Sequence, residues 1–404
     1  MARMLAVAHE ATLTGSPMNL LHLLRWISRE QPDVQVEVLI LRDGDLGHRF
    51  AEVGEVHHLD TWTVNRGLAF AQEGLLRLGS RRAWKAIAAA RLGPQLRALG
   101  RFDLVYLNSL PSVAILPYLV EPGAVVCHVH ELQVAYRTWT RQHERDLFLE
   151  VPDLWVAASG AVRDFLVDDV GLPGERVRTH HEFIDAVALA ERRVSPRAVE
   201  EVRRKYHVPV DASLVVGCGT VDWRKGADLF VQLACEVRRR HAEPVHFMWV
   251  GGDLRSADWE RVRSDRDRAG ADHVHFVGVQ PDPVPWFAAA DAFALTSRED
   301  PYPLVALECA ALGVPIVTYE NGGIPELLVA AGPEAATGIV PHLDVGGLAD
   351  RLIAFLDDER LRRAAGRSLA AQVAAAHDVR VAAPKLWADL AALIDRGSTS
   401  PPIG

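Results

Sequence analysis

Leu295–Pro325, LTSREDPYPLVALECAALGVPIVTYENGGIP, decides the fold of this chain. The apolar run that leads into it, Asp291-Ala-Phe-Ala-Leu-Thr296, reads as a short buried strand. A polar turn follows, carrying Arg298, Glu299 and Asp300. Pro301 and Pro303 stiffen that turn, and Pro303 suits the first position of a helix over Leu304–Leu312. Gly313 and Pro315 stop the helix, and Val314–Tyr319 reads as the next buried strand. A strand, a tight turn and a helix whose N-terminus points at the turn make an anion site from bare amides and the helix dipole. Carboxylates beside such a site need a second reason. Asp300 and Glu308 make sense if the ligand also carries hydroxyls, which carboxylates accept from in pairs. A nucleotide-activated sugar offers both a diphosphate and hydroxyls.

Upstream of that stretch, strand and helix patterns alternate. Leu214–Cys218, Val245–Gly251 and Val274–Val277 read as strands and Gly226–Arg239 as a helix. The run Val216-Gly-Cys-Gly219-Thr fails the GxGxxG fingerprint, because Asp222 stands where the third glycine belongs, and no GxxxxGK[ST] occurs. The turn instead carries Trp223-Arg224-Lys225-Gly226, either a surface Arg-Lys pair or a cationic clamp for a diphosphate. In the first half, Leu5–His9, Val34–Ile40, Leu104–Leu107, Val125–Val129, Leu154–Ser159 and Arg176–His181 read as strands. The loop Thr12-Leu-Thr-Gly15-Ser-Pro leads into a helix with Leu20, Leu21, Leu23, Leu24 and Ile27 on one face. Gly15 is then an ordinary turn glycine or a place where a phosphate approaches backbone amides. His128 and His130 share a strand face, but no third ligand stands at short spacing, so a cleft polar group is the better reading than zinc. His273 and His275 read as structural.

Ser195–His207, charged and flanked by Pro196 and Pro209, reads as the connection between domains. Asp344–Asp357, Glu359–Ala376 and Val379–Ile394 are helical patterns, and Gly397–Gly404 reads as a disordered tail. The fold class is therefore α/β, with two doubly wound, Rossmann-like domains facing a cleft. Ligands in such sheets sit beyond the carboxyl ends of the strands, where the polar features collect.

The 404 residues suit two domains rather than one. A net charge of −9 gives no reason to expect nucleic acid as a partner. Cys127, Cys218, Cys235 and Cys309 form no CxxC pair and read as reduced thiols. No apolar run approaches the ~20 residues of a membrane span, and no signal peptide precedes the first strand. The expectation is a cytoplasmic protein. Peripheral contact with the inner face of a membrane stays open, because residues 61–100 are rich in Arg, including Arg77, Arg81, Arg82, Arg91 and Arg97.

The motifs GTVDWRKGADLF from Gly219, HFVG from His275, AADAFALTSREDPYPLVALECAALGVPIV from Ala289 and GGIPE from Gly322 stand in this order. In these the chain resembles a retaining glycosyltransferase of the GT-B architecture, family 4 type (glycosyl transferases group 1). The resemblance covers nearly the whole length. It implies a donor domain at 208–377, an acceptor-side domain at 1–195, and a C-terminal helix about 378–396 that packs back on the latter. It implies that Glu308 accepts from ribose hydroxyls, that an acid eight residues earlier accepts from a sugar hydroxyl, and that Lys225 meets the diphosphate. Asp300 holds the position of that first acid, with Glu299 beside it as the other choice. The usual arginine is replaced by Thr220, so either Arg224 substitutes or Lys225 acts with helix-end amides alone, the helix starting at Pro303–Leu304. Gly15 matches the glycine loop, His130 the histidine near the sugar, and Gly322 and Gly323 the loop beside the donor. Asp291 and Glu326 also match family residues, with structural roles.

The activity so implied is transfer from a nucleotide-diphosphate sugar, UDP favoured over GDP, to a hydroxyl of an unidentified acceptor. Cations and amide dipoles would stabilise the leaving diphosphate. No Asp-x-Asp is read at a plausible strand end, so no metal and no other cofactor is expected. Competing readings are a nucleotide-sugar epimerase or phosphorylase on the same fold, or an inactive scaffold.

Overall fold

A computed structural model of the chain describes residues 1–59, 92–192 and 194–399. The chain forms two compact units: residues 1–158, 162–180 and 383–404 in the first, residues 159–161 and 181–382 in the second. Most of the Arg-rich stretch, with Arg77, Arg81, Arg82 and Arg91, lies outside the described residues, while Arg97 lies in a helical stretch at 92–98.

Among the described residues, the first unit is built on seven parallel strands. They are β1 (Ala2–Ala8), β2 (Val34–Ile40), β3 (Glu55–His58), β4 (Leu104–Asn108), β5 (Ala124–Val129), β6 (Leu154–Ala157) and β7 (Val177–Thr179). Their order is β3-β2-β1-β4-β5-β6-β7. Met4 to Ala8 are fully buried, which is why the central strand reads as an unbroken apolar run rather than an alternation. Helix α1 (Gly15–Glu30) lays Leu20, Leu21, Leu23, Leu24 and Ile27 against this sheet's core.

The second unit repeats the plan with β8 (Ser213–Cys218), β9 (Val245–Val250), β10 (Val274–Gly278), β11 (Ala292–Leu295), β12 (Ile316–Tyr319) and β13 (Ile339–Val340). Their order is β10-β9-β8-β11-β12-β13. One face is packed by Phe230, Phe247 and Trp249 in edge-to-face contacts with centroids 5.2–5.6 Å apart. In each sheet the chain starts near the middle, winds to one edge, and returns to wind to the other. The direction of winding reverses between β1 and β4 in the first unit and between β8 and β11 in the second. Such a reversal opens a crevice at the carboxyl ends of the two strands.

One expectation is overturned. Residues 195–207 are not a linker: α2 (Pro196–Lys205) belongs wholly to the second unit. Pro196, read as a break, is the first helical residue, and Ser195 caps it by accepting from the Ala198 amide at 3.2 Å. Arg203 anchors the far end by donating to the Ala212 carbonyl at 2.8 Å. The chain passes between units at His180–His181 and again at Ala382–Ala383. Inside the second unit these passages are stitched together, Ile184 N donating to His377 O at 3.0 Å and Val379 N to Ile184 O at 2.8 Å.

The helix that begins after the second stitch, α3 (Val379–Thr399), carries the expected apolar stripe, with Ala383, Leu386 and Leu390 fully buried and Trp387 nearly so. From Ala383 onward it packs with the first unit, where His180 Nε2 bonds Asp389 Oδ2 at 2.8 Å. Leu386→Ala removes a fully buried side chain at that seam. The expected cost is about 2–5 kcal/mol, read as a lower urea midpoint for the first unit.

Candidate active site

In the second unit, two turns flank the reversal between β8 and β11. The first, Gly219–Gly226, follows β8 and enters helix α4 (Ala227–Arg240). The second, Thr296–Pro303, follows β11 and enters helix α5 (Leu304–Ala311). Gly226 sits in left-handed backbone at φ +70, and any side chain there would strike the Thr296 carbonyl. Thr296 Oγ1 donates to Gly226 O at 2.9 Å, and the Arg298 amide donates to Arg224 O at 2.8 Å, so the turns are laced to each other. From the other side Asn321 Nδ2 donates to the carbonyls of Ser297 and Arg298 at 3.2 and 2.9 Å.

That lacing brings Lys225 and Asp300 together, Nζ to Oδ2 at 2.6 Å, with side chains only 16% and 6% exposed. Ser297 Oγ donates to the same carboxylate oxygen at 3.1 Å. Of the two candidate acids, Asp300 is the one drawn onto the lysine. Glu299 instead serves through its backbone, its amide donating to Arg224 O and its carbonyl accepting from Arg224 at 3.3 Å. Arg224 therefore braces the turn. Thr220, in the arginine's place, donates to Asp222 Oδ2 at 2.6 Å, while Asp222 Oδ1 accepts from the Lys225 amide at 2.8 Å. Arg298, read from sequence only as part of the turn, is held bidentate by Asp228 at 2.6 and 2.8 Å.

Helix α5 begins at Leu304, where it was expected, and ends at Ala311, one residue early. Pro303 is its N-cap, and no side chain caps it, so its first-turn amides at Leu304 onward are not taken by a capping group. Glu308 sits one turn inside, half-buried. Burial, with a smaller contribution from Asp282, pushes its carboxyl up to about 7. Cys218, at the end of β8, feels Glu308, Lys225 and Asp300, and burial pushes its thiol up to about 12, which keeps it protonated and unreactive. Gly322 closes the site at φ +63, where a side chain would strike the Asp300 carbonyl, and Gly323 packs against Tyr302 and Pro301. Glu326 caps the short helix at Gly160 by accepting from the Gly160 and Ala161 amides at 3.1 Å each, and bonds His181 at 2.7 Å. Burial works against its charge, but these three bonds outweigh it and hold the carboxyl below its usual range. Asp291 accepts from the Leu214 amide at 2.9 Å, a structural role as expected.

The first unit gathers its own polar set at the carboxyl ends of β1, β4 and β5. Gly15 opens α1, and the loop before it folds over Glu10, which accepts from Thr12 and Thr14 hydroxyls at 2.8 and 3.2 Å and pairs with Arg42. Glu131, buried, accepts from the amides of His130 and Leu110 at 2.9 and 3.2 Å and from the Ser109 hydroxyl. His130 Nε2 bonds Asn108 Oδ1 at 3.0 Å. His128 is interior: its Nδ1 meets Tyr106 Oη at 2.6 Å, and burial pushes its imidazole well below the usual range. Asn108, Ser16, Ser297, Asn321 and Cys218 escaped the sequence reading. Asn108 and Cys218 end strands, Ser297 and Asn321 stand just after strands, and Ser16 lies in the first turn of α1, so their convergence is visible only once strand order is known. Asp43-Gly-Asp45, after β2, also went unremarked; Asp43 Oδ1 accepts from the Gly44 amide at 2.8 Å.

Residues 212–358 match the family model described as glycosyl transferases group 1. Over that stretch the chain is similar to the group 1 glycosyltransferases. A D-inositol 3-phosphate glycosyltransferase of Corynebacterium efficiens is 31% identical over 172 residues, 41% of this chain and 40% of that one. The lipopolysaccharide core biosynthesis mannosyltransferase LpsB of Rhizobium meliloti is 35% identical over 167 residues, 39% of this chain and 46% of that one. The match thus spans less than half the length of either relative. Anabaena HepE, solved in complex with UDP and glucose, superposes with a TM-score of 0.76 over 97% of this chain and 100% of that one, at 17% identity. That likeness assigns the glycosyltransferase fold, GT-B, to the whole described chain.

Glu308 gives this site a pH signature. Its folded pKa of about 7 lies above the ordinary 4.5, so the folded state holds the proton longer than the unfolded chain. The resulting stability is fully present below pH 4.5 and is lost as pH rises to about 7. Glu308→Gln should melt like wild type near pH 4.5 and above it at pH 8. Equal melting temperatures at both values would contradict the buried, reluctant carboxyl.

Proposed function

We propose that the chain transfers a sugar from a nucleotide-diphosphate donor to a hydroxyl acceptor, with retention at the anomeric carbon. The observation that carries this reading is the Lys225–Asp300 pair bridging the reversal between β8 and β11, beside the uncapped start of α5 and Glu308. An anion arriving there would find one ammonium, helix-end amides and the positive end of a dipole. Glu308, one turn along, would accept from ribose hydroxyls in its ionised form, and Asp300 from a donor-sugar hydroxyl. That HepE is solved with UDP and glucose, and in another structure with UDP-glucose, supports UDP as the donor nucleotide ahead of GDP.

The chemical demand is to stabilise a diphosphate as the glycosidic bond breaks. Lys225 would exchange Asp300 for the developing phosphate charge, and a preorganised ammonium in a poorly solvated turn is worth far more there than in water. The departing diphosphate would then deprotonate the acceptor hydroxyl on the same face, which gives retention. In the first unit, Gly15 stands for the glycine loop that admits diphosphate and acceptor, and His130 for the histidine near the sugar. The deciding experiment incubates the protein with UDP- and GDP-sugars, reads released nucleotide, and follows the product's anomeric configuration by NMR. Release of UDP from an α-linked donor with an α-linked product is expected. A β-linked product, or an isomerised nucleotide sugar without transfer, would overturn the reading.

Lys225→Ala should cost about 2–4 kcal/mol in the transition state, a loss of tens to roughly a thousandfold in kcat/KM. Its melting temperature should fall as well, because Asp300 is left poorly solvated without its cation, so the rates are compared at a temperature where both proteins are folded. An unchanged rate would remove Lys225 from the diphosphate.

Since Lys225 and helix-end amides supply positive charge where a metal would sit, activity should survive EDTA. Complete loss on chelation, restored by manganese or magnesium, would show the opposite, and Asp43 and Asp45 would be the first residues to test.

A further inference from the structure

The edge of the first sheet carries a second set of converging polar groups. Strands β2 and β3 pair in parallel, with Glu37 directly opposite Glu55 and Leu39 opposite His57. Glu55 and His57 are two residues apart on β3, so both project to the face that carries Glu37. Like charges directly opposite one another destabilise a sheet unless an opposite charge joins them. The Glu37 carboxylate is also only 4% exposed, and a charge so buried has to be paired.

Arg3, on β1, supplies part of that charge and is rigidly held. Its Nη2 and Nε donate to Glu37 Oε1 at 2.5 and 3.1 Å. The same guanidinium donates to the carbonyls of Arg101 and Leu99 at 2.8 and 3.1 Å and lies over the Phe102 ring, 4.5 Å from its centre. One oxygen of Glu37 is thereby fixed, and the other faces β3. Oε2 meets His57 Nε2 at 2.9 Å, and a proton must lie between two such atoms, on one or the other. Ligand atoms of Glu37, His57 and Glu55 all lie within 4.8 Å of one another.

We propose that Glu37, Glu55 and His57 bind one divalent transition-metal ion of the zinc class, which clamps the edge strand β3 to the sheet. One imidazole and two carboxylates are a zinc donor set, with water in the fourth position, whereas magnesium and calcium favour oxygen alone. Tetrahedral bonds of zinc length set neighbouring donors roughly 3.3 Å apart. The Glu37–His57 contact at 2.9 Å therefore has to open only slightly, and the ion displaces the proton held there. Its two positive charges join the two carboxylates, which Arg3 alone leaves one charge short. Arg3 then holds the ligating carboxylate by its other oxygen, the usual place for an outer-shell partner. Glu55 is exposed and His57 partly so, which leaves an entry path from solvent. Glu37 stands three residues before the carboxyl end of β2, so the clamp is structural and takes no part in sugar transfer.

The test strips the full chain with a chelator and titrates it with Co2+, followed by visible absorption, and with Zn2+, followed by calorimetry. One equivalent of Co2+ should give the strong visible bands of a four-coordinate centre, and Zn2+ should abolish them. Zn2+ should also raise the melting temperature of the stripped protein. Glu55→Gln changes an exposed side chain, so it should fold like wild type while binding both ions at least about tenfold more weakly. His57→Gln should do the same. His58→Gln, at the exposed histidine next along the strand, should leave binding unchanged. A wild type that gives no such bands overturns the proposal, as does wild-type affinity in folded Glu55→Gln and His57→Gln. Loss of binding in His58→Gln alone would place the ion elsewhere and contradict it equally.

Discussion

A lysine and an aspartate are held 2.6 Å apart in a poorly solvated turn, and the second unit is arranged around that contact. An isolated buried pair of this kind adds little to stability, because desolvating two charges offsets most of their attraction. Removing either partner leaves an unpaired charge, which costs far more. The pair is therefore best understood as a placeholder. Asp300 fixes where the Lys225 side chain ends, and under the proposed function the donor diphosphate takes its place. The lacing of Thr296, Arg224, Arg298 and Asn321 keeps the two turns close enough for this.

The same topological constraint acts in the first unit. Parallel strands joined by right-handed crossovers send every strand-to-helix turn to one end of the sheet, and the reversal of winding parts two neighbouring turns. In the second unit the parted turns are bridged by an ion pair, and in the first by an amide. Asn108, which donates to Ser16 and meets His130, plays for β1 and β4 the part that Lys225–Asp300 plays for β8 and β11.

Much of this was legible in the sequence, because the central strands are buried on both faces and the helices carry their stripes at the helical period. Asp300, Glu308, Lys225 and the two glycines at 322 and 323 were visible as motif residues. Residues 195–207 were misread because Pro196 marks a helix start as readily as a break, and the cap bond of Ser195 decides between them only in three dimensions. Asn108 was invisible for a different reason. Its partners stand 92 and 22 residues away, and nothing local marks a buried asparagine that ends an apolar strand. The roles of Arg224 and Glu299 also depended on backbone contacts, which a sequence does not display.

The central claim is that a nucleotide sugar seats at the carboxyl ends of β8 and β11, against α5. Hydrogen–deuterium exchange of the whole chain, with and without saturating UDP-sugar, tests it most directly. Slowed exchange in residues 217–226, 296–306 and 320–325, with the amino ends of the same strands unchanged, is the predicted pattern. Protection that leaves those three segments untouched while appearing elsewhere would contradict the account.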